Sequence, residues 1–361
     1  MYPMPIIFDN IVFSLQKAGG ISVVWYELLS RIIRDKSFNC RFIDYGGNNI
    51  FRNKLALDEN KIFGSNRNGL NSRYLPVKIK SDMPFIFHSS YYRVCSTSSA
   101  YNITTVHDFT YEYFRSGLAK RLHSWQKFQA VKHSAAVVCI SENTKKDLLK
   151  FMPDIDEDKI HVIYNGVSED YFEIDKGKPV DLPFPSGSYI VFVGSRTGYK
   201  NFDFVVKTIA ESDLNLVIVG SKLTKEEVEF VERYFSKNRY KCMGFLINQD
   251  LNIIYNHAMA LAYPSSYEGF GIPVLEAQRA GCPVIALNTS SIPEVIGETP
   301  CLMDELSEEE FLSKLNLLRD KDTRNAVVRK GVENSKRFSW DKMYKEYIEL
   351  YKTLWAQRRG G

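Results

Sequence analysis

Short apolar runs alternate with amphipathic stretches along most of this chain. In the second half the runs are YIVFVG at 189–194, LVIVG at 216–220, CMGFL at 242–246, MALAY at 259–263 and VIAL at 284–287. Such runs are apolar at both odd and even positions, the pattern of strands buried on both faces of a parallel sheet. Helical patterns at 225–235 and 248–258 fall between them, which gives a βαβ order and a doubly wound sheet. The first half repeats the theme less regularly, with strand candidates IIFD, CRFIDY, PFIFHSS, NITTVHD, AVVCIS and KIHVIYN. The polar stretch 48–80 resists assignment. The proline-rich stretch KGKPVDLPFPSG at 176–187 predicts a linker. The expected division is therefore an N-terminal domain at 1–175, the linker, a C-terminal domain at 188–338, and a final amphipathic helix within 339–361 that packs back on the first domain.

A chain of 361 residues is long enough for two ordinary cores, and 44% hydrophobic with 25% charged residues is the composition of a globular protein. The net charge of +4 is too small to argue for nucleic acid, and no nucleic-acid motif is present. Six scattered cysteines, none spaced as a metal clip, predict a reducing, cytoplasmic setting. There is no basic-then-apolar leader and no apolar run of membrane-spanning length.

The stretch EGFGIPVLE carries the sharpest chemistry. Glu268 follows a predicted strand, and Glu276 sits in the first turns of the helix predicted over 273–280. Gly269 and Gly271 let backbone N–H groups approach a ligand, and the helix N-terminus favours an anion. Carboxylates for hydroxyls and N–H groups for phosphate predict a phosphorylated, hydroxyl-rich ligand. The competing reading is a glutamate that merely complements a helix dipole. Ligands of such sheets bind beyond the carboxyl ends of the strands. That edge carries Ser195, Arg196, Lys200 and Asn201 after the first strand of the second half, and Glu268 after the fourth.

AGGIS, TVHD, CISENTKKDL, VIYNGV, FVGSRTGYKNF, YPSSYEGFGIPVLEAQRAGCPVIA, SSIPEV and the terminal FSW occur in that order over nearly the whole chain. Together they resemble the retaining glycosyltransferases of family four. The resemblance implies the α/β GT-B fold, two Rossmann-like doubly wound domains facing across a cleft. It implies that Arg196 and Lys200 hold the donor diphosphate. Glu268 would contact the transferred sugar, with Gly269, Phe270 and Gly271 offering N–H groups. Glu276 would grip the ribose and Leu275 would lie beside it. Cys242, Met243, Gly244 and Phe245 would form the base-binding segment, and Ser195 and Asn201 would line the donor loop. His107 would reach the donor sugar, and Gly19 and Gly20 would lie near the phosphates at the start of a helix over 23–33. For Ser141 a helix N-cap is the stronger reading. Asn165 and Gly166 would shape the turn into the linker.

The implied reaction is transfer of a hexose from a nucleoside diphosphate sugar, GDP-mannose or a UDP-sugar, to a hydroxyl of a glycan or lipid-linked acceptor in surface polysaccharide synthesis. No acidic metal motif stands out, so no metal or other cofactor is expected. GSRTGYKNF is similar to transferases of bacterial surface polysaccharides. The competing classes are a non-catalytic sugar-nucleotide-binding protein and another enzyme of related architecture such as an epimerase. A last feature is the stretch 113–141, which lacks acidic residues. Arg115, Lys120, Arg121, Lys127 and Lys132 are interleaved there with Leu118, Leu122, Trp125 and Phe128. It reads equally as a face for peripheral contact with the inner membrane surface or as a buried helix with a solvated basic edge.

Overall fold

Two parallel sheets of six strands organise the chain. A computed structural model describes residues 4–35, 38–63, 73–175, 177 and 180–357. The first sheet contains β1 (Pro5–Asp9), β2 (Asn39–Ile43), β3 (Phe85–Ser89), β4 (Ala100–Val106), β5 (Ala136–Cys139) and β6 (Ile160–Val162). The second contains β7 (Tyr189–Val193), β8 (Asn215–Val219), β9 (Tyr240–Gly244), β10 (Ala260–Tyr263), β11 (Val284–Leu287) and β12 (Leu302–Met303). Every position of β3, β5, β10 and β11 is buried. These strands are apolar at successive positions because helices cover both faces.

The strand orders are β2-β1-β3-β4-β5-β6 and β12-β11-β10-β7-β8-β9. In the first sheet the chain reverses its direction of travel between β1 and β3. In the second it reverses between β7 and β10. Crevices open at the carboxyl ends of the strands that flank such a reversal, because the following connections leave to opposite faces. The loop after β7 and the loop after β10 carry Lys200 and Glu268, so topology alone brings the two candidates to one crevice.

The chain divides into a unit of 1–166 with 339–361 and a unit of 167–338. The division therefore falls after Gly166, earlier than the linker read at 176–187. Segment 167–175 is tied to the second unit instead. Asn252 and Asn256, one turn apart on the helix Asn248–His257, accept from Phe172 N at 3.1 Å and Ile174 N at 3.0 Å. Gly187 is held there too, donating to His257 O at 2.8 Å.

The last helix, Trp340–Gln357, belongs to the first unit. It seals the sheet with tyrosine hydroxyls: Tyr351 meets His88 Nδ1 at 2.7 Å, and Tyr347 meets Thr105 Oγ1 at 3.0 Å. A Cβ on Gly166 would collide with the backbone of Ser339 and Trp340. Only glycine lets the chain leave and re-enter the unit at one point.

Candidate active site

In the second unit the site begins with two glycines. Gly194 follows β7 with φ 119° and Gly220 follows β8 with φ 148°, a region that L side chains rarely adopt. A Cβ on Gly220 would stand 2.6 Å from Gly194 O. The two strand ends thus approach closely enough to leave no room for a side chain at Gly220. The loop after β7 then turns through Gly198–Lys200, and Asn201 takes a left-handed conformation with φ 53°. Its Nδ2 donates to Pro264 O at 2.7 Å and Ser266 Oγ at 2.8 Å, while Ser266 N donates to Tyr199 O at 2.8 Å. These bonds stitch the loop after β7 to the loop after β10.

The stitching sets the Lys200 ammonium against the Glu268 carboxylate in an ion pair. The ammonium also lies over the rings of Tyr199 and Tyr263, at 5.5 and 5.4 Å from their centroids. Both charged side chains keep a little accessible surface, 15% and 12%, so a ligand can reach them. Glu268 N donates to Ser290 Oγ at 2.9 Å, and Ser291 Oγ donates to the carbonyls of Glu268 and Phe270, both at 2.9 Å. Gly271, with φ 112°, caps the helix Ile272–Arg279, and Pro273 lies in its first turn. Phe270 packs edge-on against Phe338.

Glu276 stands on that helix beside two tyrosine hydroxyls. Tyr255 Oη donates to its Oε2 at 3.3 Å, and Tyr171 also bonds the carboxyl. Burial pushes its pKa up to about 7, and the two tyrosine bonds offset part of that rise. The Tyr263 hydroxyl bonds Glu268 and lies in the field of Glu276 as well; burial first, then Glu268, raises its pKa well above the usual value. The two glutamates therefore share one site. The side chain of Leu275 is fully buried, so any contact with a donor passes through its backbone.

Arg196, expected at the donor diphosphate, is engaged by other groups of its own unit. Its guanidinium is bonded in a fork to Glu227 at 2.8 and 2.9 Å, and it also donates to Ser221 O, Ser221 Oγ and Lys222 O. It holds the loop after β8, whose helix Lys225–Val231 starts with a capping box of Thr224 and Glu227. Lys200 and Glu268 are brought together; Arg196 is committed elsewhere. Ser195 is exposed. At the end of β9, Gly220 N donates to Gly244 O at 2.9 Å, and Phe245 is 80% exposed.

In the first unit, His107 lies at the carboxyl end of β4. Its pKa is lowered to about 4 by burial, raised in part by Asp108 and lowered further by Lys127. The imidazole is neutral near pH 7. Lys127, read from the sequence as one of a row of surface cations, is fully buried. Its ammonium bonds Glu112 Oε2 at 2.7 Å and Asp108 O at 2.7 Å, and lies 4.3 Å from the centre of the Phe109 ring. The helix Gly20–Arg34 begins at Gly20 with Gly19 as its cap. Gly19 has an extended backbone, and a Cβ on Gly20 would meet nothing within 4 Å, so neither position requires glycine for its own conformation. Ser141 caps the helix Glu142–Phe151 by accepting from Thr144 N at 3.0 Å.

Tyr199, Tyr263, Ser290 and Ser291 were missed as site residues, although their motifs were in view. Nothing in the sequence marks Tyr171 and Tyr255 as partners of Glu276, because only the fold joins positions that far apart. Among the described residues no three His, Cys, Asp or Glu side chains gather as a metal site would need.

Solved structures share this fold. Anabaena Alr3699/HepE, in complex with UDP and glucose, superposes with a TM-score of 0.71 at 15% identity, over 97% of this chain and 99% of that one. Sucrose-phosphate synthase from Thermosynechococcus elongatus gives 0.71 at 16% identity, over 98% and 100%. Residues 18–171 match the Glycosyltransferase Family 4 domain, and residues 178–334 match Glycosyl transferases group 1. The chain belongs to the GT-B glycosyltransferases. Among relatives of this glycosyltransferase, O-antigen chain mannosyltransferase B of Escherichia coli is 24% identical over 268 residues, 70% of each chain. O-antigen chain mannosyltransferase RfbU of Salmonella typhimurium is 28% identical over 242 residues, 64% of this chain and 66% of that one.

Proposed function

We propose that this glycosyltransferase is a retaining hexosyltransferase. It takes a hexose from a nucleoside diphosphate sugar and delivers it to a hydroxyl of a glycan or lipid-linked acceptor in surface polysaccharide synthesis. The observation that carries the reading is the Lys200–Glu268 pair at the reversal of the second sheet, with Glu276 beyond it on the next helix. Lys200 supplies positive charge for a diphosphate, Glu268 accepts from sugar hydroxyls, and Glu276 accepts from ribose hydroxyls. Mannose is the favoured hexose, because the O-antigen relatives are named mannosyltransferases. GDP-mannose and UDP-glucose are the first donors to compare.

In the proposed step the bond between the anomeric carbon and the diphosphate oxygen breaks while the acceptor oxygen attacks from the same face. The acceptor proton passes to the departing phosphate. No side-chain base is required, and the protein contributes position and electrostatics. Lys200 is the cation at the crevice; Arg196 reaches a diphosphate only if it exchanges Glu227 for the ligand. His107, neutral at working pH, is the candidate contribution of the first unit, as a hydrogen-bonding group. Transfer proceeds without a divalent metal. The test is a panel of nucleotide sugars read by thermal shift and by nucleoside diphosphate release, with and without chelator. Steady release of nucleoside diphosphate from one donor in chelator supports the reading. Binding with no release assigns a binding protein, and loss of release in chelator with restoration by one metal overturns the metal-free step.

A further inference from the structure

A serine, threonine, asparagine or aspartate at the N-terminus of a helix ordinarily turns its side chain onto the helix's own unpaired N–H groups. Ser141, Thr224, Ser307 and Asp320 do so in this chain. Asn201 and Ser291 direct theirs elsewhere. Asn201 caps the helix Phe202–Ala210 and Ser291 caps the helix Ile292–Ile296, yet neither side chain bonds its own helix. Both reach the loop after β10 instead. Asn201 Nδ2 donates to Pro264 O and Ser266 Oγ, and the buried Ser291 Oγ donates to Glu268 O and Phe270 O. Each helix forgoes the stabilisation that its cap residue could supply, and the loop that carries Glu268 receives the bonds.

Backbone strain marks the same loop. Among the described residues only Asn201, with φ 53°, and Ser290, with φ 50°, hold a left-handed backbone without being glycine. That region is crowded for a residue with a Cβ, and residues kept there are fixed by their surroundings. Ser290 Oγ accepts from Glu268 N at 2.9 Å. In the sheet β10 lies between β7 and β11. Asn201 stands on the connection after β7 and Ser290 on the connection after β11, so the loop between them is held from both sides. The N–H and the C=O of Glu268 belong to the two planar peptide groups that flank its Cα. Ser290 fixes the first and Ser291 the second. Together they set the direction in which the Glu268 side chain leaves the backbone, towards Lys200.

We propose that Ser290 and Ser291, with Asn201 opposite them, are positioning residues for transfer: they aim the Glu268 carboxylate at the donor sugar. This role rests on the reading of Glu268 as the group that contacts that sugar. The test is Ser290→Gly. Glycine adopts the same φ without strain, so the substitution removes the hydroxyl and spares the backbone. Lost strain and a lost bond act in opposite directions on stability. The unfolding temperature and the nucleoside diphosphate affinity should therefore stay close to the parent's. The kcat for nucleoside diphosphate release from GDP-mannose or UDP-glucose should fall about fivefold or more, the contribution of one hydrogen bond. Asn201→Gly, which also keeps its φ, should act alike. In a Glu268→Gln background Ser290→Gly should lower kcat little further, because its effect passes through that carboxylate. In the free protein Ser290→Gly should also speed amide hydrogen exchange across 264–271. Exchange needs no donor, so the clamp and the transfer reading can fail separately. Unchanged exchange overturns the proposal, and so does the same fold-loss of kcat with and without the Glu268 carboxylate. A lower unfolding temperature with kcat intact would show that the serines only brace the fold.

Discussion

Glu276 has a carboxyl whose pKa stands at about 7, because burial disfavours its charge more than Tyr171 and Tyr255 favour it. In the free protein it is close to half-ionised at neutral pH. Ribose hydroxyls donate better to the carboxylate than to the acid, so nucleotide binding should favour the ionised form. Affinity for a nucleoside diphosphate is then full above the pKa and falls as pH drops through about 7 and below. The expected measurement is calorimetry across that range, with Glu276→Gln as the control that carries the nucleotide's own titration but lacks the carboxyl. The variant should bind more weakly than the parent at pH 8, by roughly tenfold or more for a lost charged hydrogen bond. Glu268→Gln should leave nucleoside diphosphate affinity nearly unchanged and reduce transfer, since its expected partner is the sugar. Equal loss of nucleotide affinity in both variants would end this division of labour.

The elements of the first unit bury histidines in neutral form. Burial lowers the pKa of His88 to about 3, of His107 to about 4 and of His123 to about 3. In the unfolded chain each titrates near 6.5, so below that pH the unfolded state binds more protons. The stability of this unit is full above about pH 6.5 and is lost as pH falls towards 3. Glu276 acts with the opposite sign in the second unit. Its raised pKa contributes stability that is full below about 4.5 and is lost as pH rises through about 7. Calorimetric scans between pH 5 and 8 should show the transition of the first unit moving down on acidification, while the second unit does not follow it. Parallel movement of both transitions would refute the assignment.

The buried Lys127–Glu112 pair belongs to the same element scale. Lys127→Met leaves Glu112 uncompensated inside the protein and should cost about 3–5 kcal/mol. Adding Glu112→Leu should recover most of that loss in denaturant unfolding, though the bond to Asp108 O beside His107 stays broken. If the double variant is stable yet transfers slowly with an unchanged KM, the pair positions the end of β4; if it transfers normally, the pair is only structural. The sequence could not show this. Lys127 lies in a row of cations, and nothing local distinguishes the one that points inwards. The strands were legible for the opposite reason: burial on both faces makes a whole run apolar, so VFV in β7 or VVC in β5 announces itself. The meeting of Glu268 and Lys200 was legible through their loops and motif order. The pairing of Arg196 with Glu227 was not, because Glu227 lies on the next βα connection. The division after Gly166 was hidden behind a proline-rich stretch that looks like a linker but whose end, Ser186 and Gly187, is bonded to His257 of the second unit.

At the scale of the whole molecule, the chain leaves the first unit at Gly166 and returns at Ser339. The returning helix Trp340–Gln357 buries Trp340, Met343, Tyr347, Ile348, Leu350, Tyr351 and Leu354. At about 1.5–3 kcal/mol for each large apolar side chain, their burial supplies roughly 10–20 kcal/mol. That is as large as the whole net stability of an ordinary domain, about 5–15 kcal/mol. Removing the helix also strips partners from buried polar groups: His88 loses Tyr351 and Thr105 loses Tyr347. The first unit therefore should not fold when residues 340–361 are deleted, even though its whole sheet remains in the chain. The second unit keeps its own core, which runs from Ile190 to Val327 within 167–338. It also keeps the Lys200–Glu268 pair and Glu276. The truncated protein should retain nucleoside diphosphate binding, lose transfer, and yield on limited proteolysis a resistant fragment close to 167–338. A truncated chain whose first unit still unfolds cooperatively at the original temperature would show that the helix is an accessory. Loss of nucleotide binding together with transfer would show that the second unit does not hold its site alone.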